Sequence, residues 1–140
     1  MLHPSMYSVI HSDPEHREIV TFVTQLGHDR FDRLELVLKT WTAAISATVY
    51  IPLKDVANFM RKLCKCKMLG NRSNVDIHLV LKDGDYYPLN LLRNVALNAT
   101  KTPLSYLSDV DFVPANGTER MIEKLWTNNE SFFDSNVSTM

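Results

Sequence analysis

The sequence predicts an α/β fold in which a mostly parallel β-sheet is flanked by helices. Runs rich in β-branched and aromatic residues alternate four times with segments whose apolar residues recur at helical spacing. Strands that are joined through helices pair in parallel by right-handed crossovers. The 140 residues, 45% of them hydrophobic and 22% charged, are the length and composition of one globular domain.

The domain is predicted to occupy residues 18–127. Residues 1–17 carry proline, serine and charge without periodicity, which is typical of a leader or linker. Residues 128–140 are polar and irregular, and they are expected to form a tail.

The first strand is predicted at 19–24 with a break at 25–28, and a helix over 29–41 follows it. The apolar face of this helix consists of Phe31, Leu34, Leu38 and Trp41. The second strand is predicted at 45–51, and the next helix begins near Lys54. Its inner face consists of Val56, Phe59, Met60 and Leu63. Basic residues surround Cys64 and Cys66 where this helix ends, and we interpret them as a favourable helix C-terminus rather than a zinc or redox site.

The third strand is predicted at 75–81, with a turn at 83–85 and then a helix at 88–98. The inner face of that helix consists of Leu89, Leu92 and Ala96. The fourth strand, at 103–107, is expected to be buried as an inner strand of a parallel sheet. A last helix is predicted after Asn116, with Glu119 completing the N-terminal cap. Its apolar residues are Met121, Ile122, Leu125 and Trp126.

Two aspartates, Asp109 and Asp111, follow the fourth strand. Residues i and i+2 of an extended chain face the same side, so both carboxylates are expected to point at one place. A divalent cation would relieve their repulsion, and Mg²⁺ or Mn²⁺ shares such oxygen ligands with phosphate. The pair therefore predicts a metal-diphosphate site beyond the carboxyl end of a strand. The alternative for so common a motif is a solvated loop with a capping aspartate.

Other features narrow the class of protein. No glycine-rich phosphate loop is present, so a bound nucleotide would depend on a metal ion. The net charge of -1 provides no basic field for nucleic acid. The sequence contains neither a membrane-spanning apolar run nor a signal-peptide pattern. The sequence contains five Asn-x-Ser/Thr sequons, at Asn71, Asn98, Asn116, Asn129 and Asn136. Their number suggests that the chain passes through the secretory lumen, with chance occurrence as the alternative.

Two motifs resemble glycosyltransferase family 49. They are YPLNLLRNVA at 87–96 and LSDVDFVP at 107–114, and they occur in the family's order and spacing. Residues 20–26 and the helix over 29–41 are similar as well, so the resemblance covers about residues 19–114.

The resemblance implies a GT-A-like, nucleotide-sugar-binding sheet in a Golgi type II membrane protein. It implies transfer of glucuronic acid from UDP-glucuronate to a xylose-containing acceptor in O-mannosyl glycan synthesis of the dystroglycan type, with inversion and with Mn²⁺ or Mg²⁺. The expected partners are a UDP-sugar donor and a glycan acceptor, without nucleic acid. Membrane contact is expected only through an N-terminal anchor that this sequence lacks, and the oligomeric state stays open.

The resemblance also implies roles for single residues. Asp109 and Asp111 match the family's Asp-x-Asp motif, in which Asp111 is the main metal ligand and Asp109 also serves the ribose side. Thr24 and Gln25 match the place where uridine binds. Arg93 and Asn94 match a helix motif that is expected to face the phosphate or sugar of the donor, with a surface arginine and a capping asparagine as the alternative.

The sequence departs from the family after the Asp-x-Asp strand, where the family has its catalytic base, acceptor groove and a further metal ligand, typically histidine. No histidine follows His78. We therefore expect residues 18–127 to be the donor-binding half of a truncated domain, with an unpaired sheet edge and with the base downstream of the chain. A non-catalytic remnant that binds nucleotide or a partner is one alternative. A haloacid-dehalogenase-like phosphatase with Asp109 as nucleophile is another, although that motif normally follows a first strand.

Overall fold

The computed structural model describes residues 6–11, 18–82, 84 and 87–128. These residues form a five-stranded sheet with the order β1-β4-β3-β2-β5. Strands β2 to β5 are parallel to one another, and β1 pairs antiparallel with β4. The strands are β1 (Met6–Ile10), β2 (Val20–Gly27), β3 (Ala44–Ile51), β4 (Val75–Leu81) and β5 (Leu104–Leu107). The predicted α/β class with a mostly parallel sheet and flanking helices is confirmed.

Among the described residues, four helices connect the parallel strands, and a fifth follows β5. They are α1 (Phe31–Thr40), α2 (Val56–Lys65), α3 (Lys67–Gly70), α4 (Leu89–Asn98) and α5 (Thr118–Asn128). Short 3₁₀ turns at His28–Arg30 and Leu53–Asp55 lead into α1 and α2. The larger apolar core joins the sheet to the first three helices, and a smaller cluster places Leu92 of α4 against Tyr50 and Val80. Each crossover thus buries one apolar stripe, as the periodicity predicts.

The predicted inner faces of the first two helices are confirmed. The four residues predicted for the α1 segment, Phe31, Leu34, Leu38 and Trp41, are all buried, and Val37 is buried beside them. In α2, Phe59 and Leu63 are buried, while Val56 and Met60 are partly buried against the same core. Cys64 is exposed and Cys66 half-buried, and both are free thiols. Cys66 separates α2 from α3, a short second helix that the basic cluster did not predict.

The predicted inner faces of α4 and α5 need correction. Leu92 and Ala96 are buried in α4, but Leu89 is exposed at the rim of a cavity. In α5, Met121 and Leu125 are 59% and 51% exposed. The buried stripe runs instead through Glu119 and Trp126, with Ile122 packed against the core between them. Spacings of three and four residues put these three side chains on one helical face, whereas Met121 and Leu125 lie on the neighbouring stripe.

The N-terminal strand corrects the prediction that residues 1–17 form only a leader or linker. Strand β1 pairs with β4 from Met6 opposite Val80 to Ile10 opposite Ile77. It is five residues long and shows no regular alternation of buried and exposed positions. The strand therefore has no local signature, because its pairing partner lies far along the chain. Residues 1–5 and 12–17 lie outside the described residues, as do residues 129–140 of the predicted tail.

Strand β2 is longer than its sequence predicts. Gln25, Leu26 and Gly27, which were expected to break the strand, continue the parallel ladder opposite Thr48, Val49 and Tyr50. The strand end therefore moves to Gly27, where the 3₁₀ turn begins. In the turn predicted at 83–85, Gly84 has a positive φ of 77°, which is typical of a turn glycine. Asp83 and Asp85 lie outside the described residues.

Strand β5 is an edge strand rather than the buried inner strand that was expected. Within the described residues it pairs with β2 alone, and its positions alternate between half-buried and exposed. Aromatic packing fixes it to the core, since the Tyr106 ring lies 5.7 Å from that of Phe22 and 5.3 Å from that of Trp41 between ring centroids. This contact positions the loop that follows β5.

Polar side chains line the sheet face beneath α4. Ser46 donates a hydrogen bond to the backbone carbonyl of Ala96 at 2.7 Å, and a hydrogen bond of 2.8 Å joins Ser8 to Nδ1 of His78. These side chains lie beneath α4 and beside the edge strand β1. Burial lowers the pKa of His78 below its ordinary value, against a smaller opposing effect of Asp76. Burial of this ring therefore favours its neutral form over its charged form.

The strand order creates a switch point between β2 and β5. From β2 the chain passes to β3 and β4 on one side, and then crosses back to place β5 on the other side. Ligands of open α/β sheets bind at the carboxyl ends of strands where the direction of winding reverses. The carboxyl ends of β2 and β5 are therefore the place to look for a site.

Candidate functional site

A cavity of about 610 Å³ lies at this switch point. One wall is formed by residues 25–30, which end β2 and begin the path to α1. The opposite wall is formed by residues 109–111, which follow β5. Tyr50, Lys82 and Tyr87 close it from the side of β3 and α4. Its volume suits a small organic ligand, and its lining mixes aromatic rings with charges of both signs.

A second cavity of about 500 Å³ adjoins the first. Gln25 and Asp109 line both cavities, and Arg93 and Phe112 line the second. The two cavities therefore lie side by side around the ends of β2 and β5, and we call them together the switch-point cleft, with each cavity as one branch.

Asp109 and Asp111 both line the first cavity, as predicted, but the local conformation differs from the one expected. The chain turns after β5 instead of remaining extended, and the backbone N–H of Phe112 donates to the carbonyl of Asp109 at 3.0 Å. The N–H of Asp111 donates to Oδ1 of Asp109 at 3.3 Å. Asp109 thus caps its own turn, so a capping role and a place in the cleft occur together.

The Asp111 carboxylate lies between two arginines. Its Oδ2 is 3.5 Å from Nη2 of Arg30, and its Oδ1 is 3.4 Å from Nε of Arg33. Arg33 also donates a hydrogen bond from Nη2 to the backbone carbonyl of Asp111 at 2.9 Å. The segment that leads into α1 therefore holds the turn after β5 in place.

The donor set of the two aspartates fits a hard divalent cation in part. Two carboxylates at one cavity supply oxygen ligands, and Mg²⁺ usually takes its remaining ligands from phosphate and water. Within the described part of the chain no group of three His, Cys, Asp or Glu side chains is arranged to hold a metal ion. A cation would also have to compete with Arg30 and Arg33 for Asp111. The arrangement thus suits a metal that arrives with an anionic ligand better than a resident metal site.

Gln25 and Thr24 differ in where their side chains lie. Gln25 is buried in β2 and lines both branches of the cleft. Thr24 is 0% exposed, and its hydroxyl has no hydrogen-bond partner among the described residues. By strand alternation Thr24 shares its side of the sheet with Phe22 and Leu26 of the larger core. The Thr24 side chain therefore lies in the core and away from the cleft, while the Gln25 side chain lines the cleft.

Arg93 and Asn94 are also separated. Both are exposed on α4, but only Arg93 lines the cleft. Asn94 lines neither of its two branches. Successive helical residues point about 100° apart, so the motif places only one of the pair toward the cleft.

Several cleft residues were not predicted as site residues. Arg30 lines the cleft, and Arg33 contacts Asp111 without lining it. Neither arginine belongs to a predicted motif, and their partner Asp111 is distant in sequence. Tyr87 begins the predicted motif and packs edge-to-face on Tyr50, with ring centroids 5.5 Å apart. Burial, followed by the charges of Asp109 and Asp29, raises the pKa of Tyr87. Only the resemblance at 87–96 gave a sequence signal for Tyr87.

Comparison with known proteins identifies relatives. A family model described as "Glycosyl-transferase for dystroglycan" matches residues 19–85 and 80–139, so the likeness extends beyond residue 114, where it was expected to fade. The chain is 42% identical over 105 residues to xylosyl- and glucuronyltransferase LARGE1 of Danio rerio, a match that covers 75% of this chain and 14% of the relative. It is 44% identical over 98 residues to LARGE2s of Gallus gallus, with 70% and 13% covered. It is 41% identical over 105 residues to LARGE1 of Homo sapiens, with 75% and 14% covered.

These alignments cover only a small part of each relative, 13% or 14% of its length. Among the described residues, every helix is too short or too polar to cross a membrane.

Proposed function

The chain belongs to the family of glycosyl-transferases for dystroglycan, and from that premise we propose that it is the donor-binding part of a glucuronyltransferase. The donor is UDP-glucuronate, and the acceptor is a xylose-containing O-mannosyl glycan. Transfer proceeds with inversion in the lumen of the Golgi, on a GT-A-like sheet. The names of the relatives, xylosyl- and glucuronyltransferases, support the sugar classes.

One observation carries the proposal. Gln25 at the end of β2 and Asp109 and Asp111 after β5 line one cavity, although Gln25 and Asp109 are 84 positions apart in sequence. Such convergence at the carboxyl ends around a switch point is typical of a nucleotide-binding α/β sheet. The motif resemblance at 107–114 and this geometry thus support the same two aspartates.

The roles of the cleft residues follow from their chemistry. Asp109 and Asp111 would hold Mn²⁺ or Mg²⁺, which, when bound, offsets the negative charge that develops on the UDP leaving group. Arg30 lines the cavity beside Asp111, and its guanidinium offers charge-assisted hydrogen bonds to phosphate or carboxylate oxygens. Arg33 keeps the turn after β5 in position.

The nucleobase is proposed to lie against the aromatic wall. Tyr87 is partly exposed in the cavity and is braced by Tyr50, so its ring provides a surface for stacking. The Gln25 amide carries both a donor and an acceptor, as the polar edge of uracil requires. Arg93 in the second branch of the cleft is placed to meet the sugar or phosphate.

A second candidate is a chain that binds the nucleotide sugar without transferring it. It is kept beside the first because the roles given above to the cleft residues all concern binding of the donor, and none of them is that of a catalytic base. The two candidates share the donor site and differ only in turnover.

The test has two parts. UDP and UDP-glucuronate should raise the melting temperature when Mn²⁺ is present and much less with EDTA, because ligand that binds only the folded state stabilises it. Equal stabilisation with EDTA would contradict the metal bridge. Transfer of radiolabelled glucuronate to a xylosyl acceptor then separates the transferase from the binding protein.

A further inference from the structure

We infer that Asn71, Asn98 and Asn116 carry N-linked glycans, and that these glycans cover the amino-terminal end of the sheet, opposite the switch-point cleft. The inference rests on the lumenal location in the proposed function. It goes beyond that function, because it assigns a modification and a solvent-facing surface.

Each of the three asparagines meets the sequence requirement for the modification. Ser73, Thr100 and Thr118 stand at the third position of the three sequons, and none of the middle residues is proline. All three asparagines are exposed. Among the described residues, the hydrogen bonds do not use their side-chain amides, so a glycan on any of them would break no contact of the fold.

All three also lie at points where the chain leaves or enters a helix. Asn71 follows α3, Asn98 is the last residue of α4, and Asn116 stands two residues before α5. Such turns project from the surface and have room for a bulky substituent.

Contacts close to each sequon place it at the amino-terminal end of the sheet. Next to Asn71, Arg72 donates to the carbonyl of Ala43 at 2.6 Å, immediately before β3. Beyond Asn98, a hydrogen bond of 2.6 Å joins the hydroxyls of Thr102 and Thr21 at the start of β2. Just after Asn116, Glu119 accepts a hydrogen bond from Thr42 at 3.2 Å, again ahead of β3.

The cleft lies at the other end of the same strands. Parallel strands rise about 3.3 Å per residue, so the eight residues of β2 separate the two ends by roughly 25 Å. Three separate turns, distributed over 45 residues of sequence from Asn71 to Asn116, thus carry their sequons on one end. Glycans there would leave the donor path open and would keep this end free of any protein partner.

The experiment uses the full chain, expressed with a cleavable secretory leader and translated in the presence of microsomes. Asn129→Gln and Asn136→Gln are included in the background, so that only the three sequons can react. Digestion of the protease-protected fraction with an N-glycosidase should produce three mobility steps. Asn71→Gln, Asn98→Gln and Asn116→Gln should each remove one step. Asn58→Gln, which changes an exposed asparagine outside any sequon, should remove none.

A second set of variants checks that the loss of a mobility step is not caused by misfolding of the asparagine variants. Ser73→Ala, Thr100→Ala and Thr118→Ala keep each asparagine and should remove the same steps. The gain in melting temperature with UDP-glucuronate and Mn²⁺ should be equal before and after digestion, because the glycans lie away from the cleft.

A protected chain that the glycosidase leaves unchanged, or a chain that never becomes protected, would overturn the inference. Recovery of donor binding only after digestion would overturn the placement of the glycans. A failure of donor binding in both forms would instead count against the proposed function and leave the mobility result standing.

Discussion

Arg33 holds Asp111 by two contacts, a 2.9 Å hydrogen bond from Nη2 to the backbone carbonyl and a 3.4 Å approach of Nε to the carboxylate. The Nε–H is buried and makes no hydrogen bond to any described residue, so its approach to this carboxylate is electrostatic. The first helix therefore fixes the turn after the last strand of the sheet. Donor binding should depend on a residue that does not line the cavity.

Replacement of this arginine tests that dependence. Arg33→Lys keeps the charge but removes the planar fork, so the bond to the carbonyl and the approach to the carboxylate cannot both form. We expect UDP-glucuronate to bind about tenfold more weakly in the presence of Mn²⁺, the size of one lost hydrogen bond to a charged group. Calorimetric titration measures this affinity. Arg61→Lys, which alters a surface contact with Asn58, is the matched control and should change nothing.

The aspartate pair is tested by its metal dependence. Asp111→Asn keeps the size of the side chain but removes a charge, so Mn²⁺ should no longer increase the stabilisation by UDP. Asp109→Asn should reduce the increase as well. Asp32→Asn on the exposed side of α1 provides the control. Melting curves with Mn²⁺ and with EDTA supply the measurement, and an unchanged Mn²⁺ effect in Asp111→Asn would refute the metal role.

The two neighbouring residues at the end of β2 should behave in opposite ways. Thr24→Val replaces a buried hydroxyl that has no hydrogen-bond partner among the described residues, so the protein should gain about 1 kcal/mol in free energy of unfolding and keep its donor affinity. Gln25→Ala removes an amide that lines the cleft, so donor affinity should fall. Chemical denaturation and titration measure the two quantities. Loss of donor affinity in Thr24→Val would support the contact between Thr24 and uridine that the family resemblance implies.

Stability should fall in mild acid because of His78. Burial lowers the pKa of this residue below its ordinary value of 6.5, the effect of His11 acts in the same direction, and Asp76 opposes both. The unfolded chain therefore takes up a proton that the folded chain resists. Stability from this group is fully present above about pH 6.5 and is lost as the pH falls toward the lower folded pKa.

His78→Gln isolates the contribution of this residue to the pH dependence of stability. The substitution weakens the bond to Ser8 at every pH, but it should flatten the fall in free energy of unfolding between about pH 7 and pH 5. Urea denaturation across this range gives the slope for both proteins. Parallel slopes would show that His78 does not cause the acid sensitivity.

Periodicity predicted those parts of the fold that local pattern encodes. The apolar stripe of α1 is confirmed because four large residues share one helical face and meet a single core. The pattern failed where partners are remote. Strand β1 depends on β4, and the α5 stripe includes the buried Glu119, which bonds to Thr42 across the fold. A charged residue on an inner face cannot be recognised from hydrophobicity alone.

The candidate site was predicted only in part, for a similar reason. Asp109 and Asp111 were found through their short motif, which is local. Arg30 and Arg33 approach Asp111 only because β5 lies beside β2 in the sheet. The spacing of residues in the sequence does not reveal which strands are neighbours. The resemblance named Thr24 and Gln25 together, and it could not tell which of the two side chains faces the cleft, because that depends on the side of the sheet on which each residue lies.

The open side of β5 has a consequence for how this protein can be handled. In the described residues, the outer backbone groups of β5 have no neighbouring strand, and Leu107 and Phe112 are exposed beside them. An unpaired strand edge can pair with a strand of another chain, so concentrated samples are at risk of forming fibrils or swapped dimers. Because Asp109 follows β5 directly, any strand added there would also reshape the wall of the cleft, and self-association should be monitored whenever ligand affinity is measured.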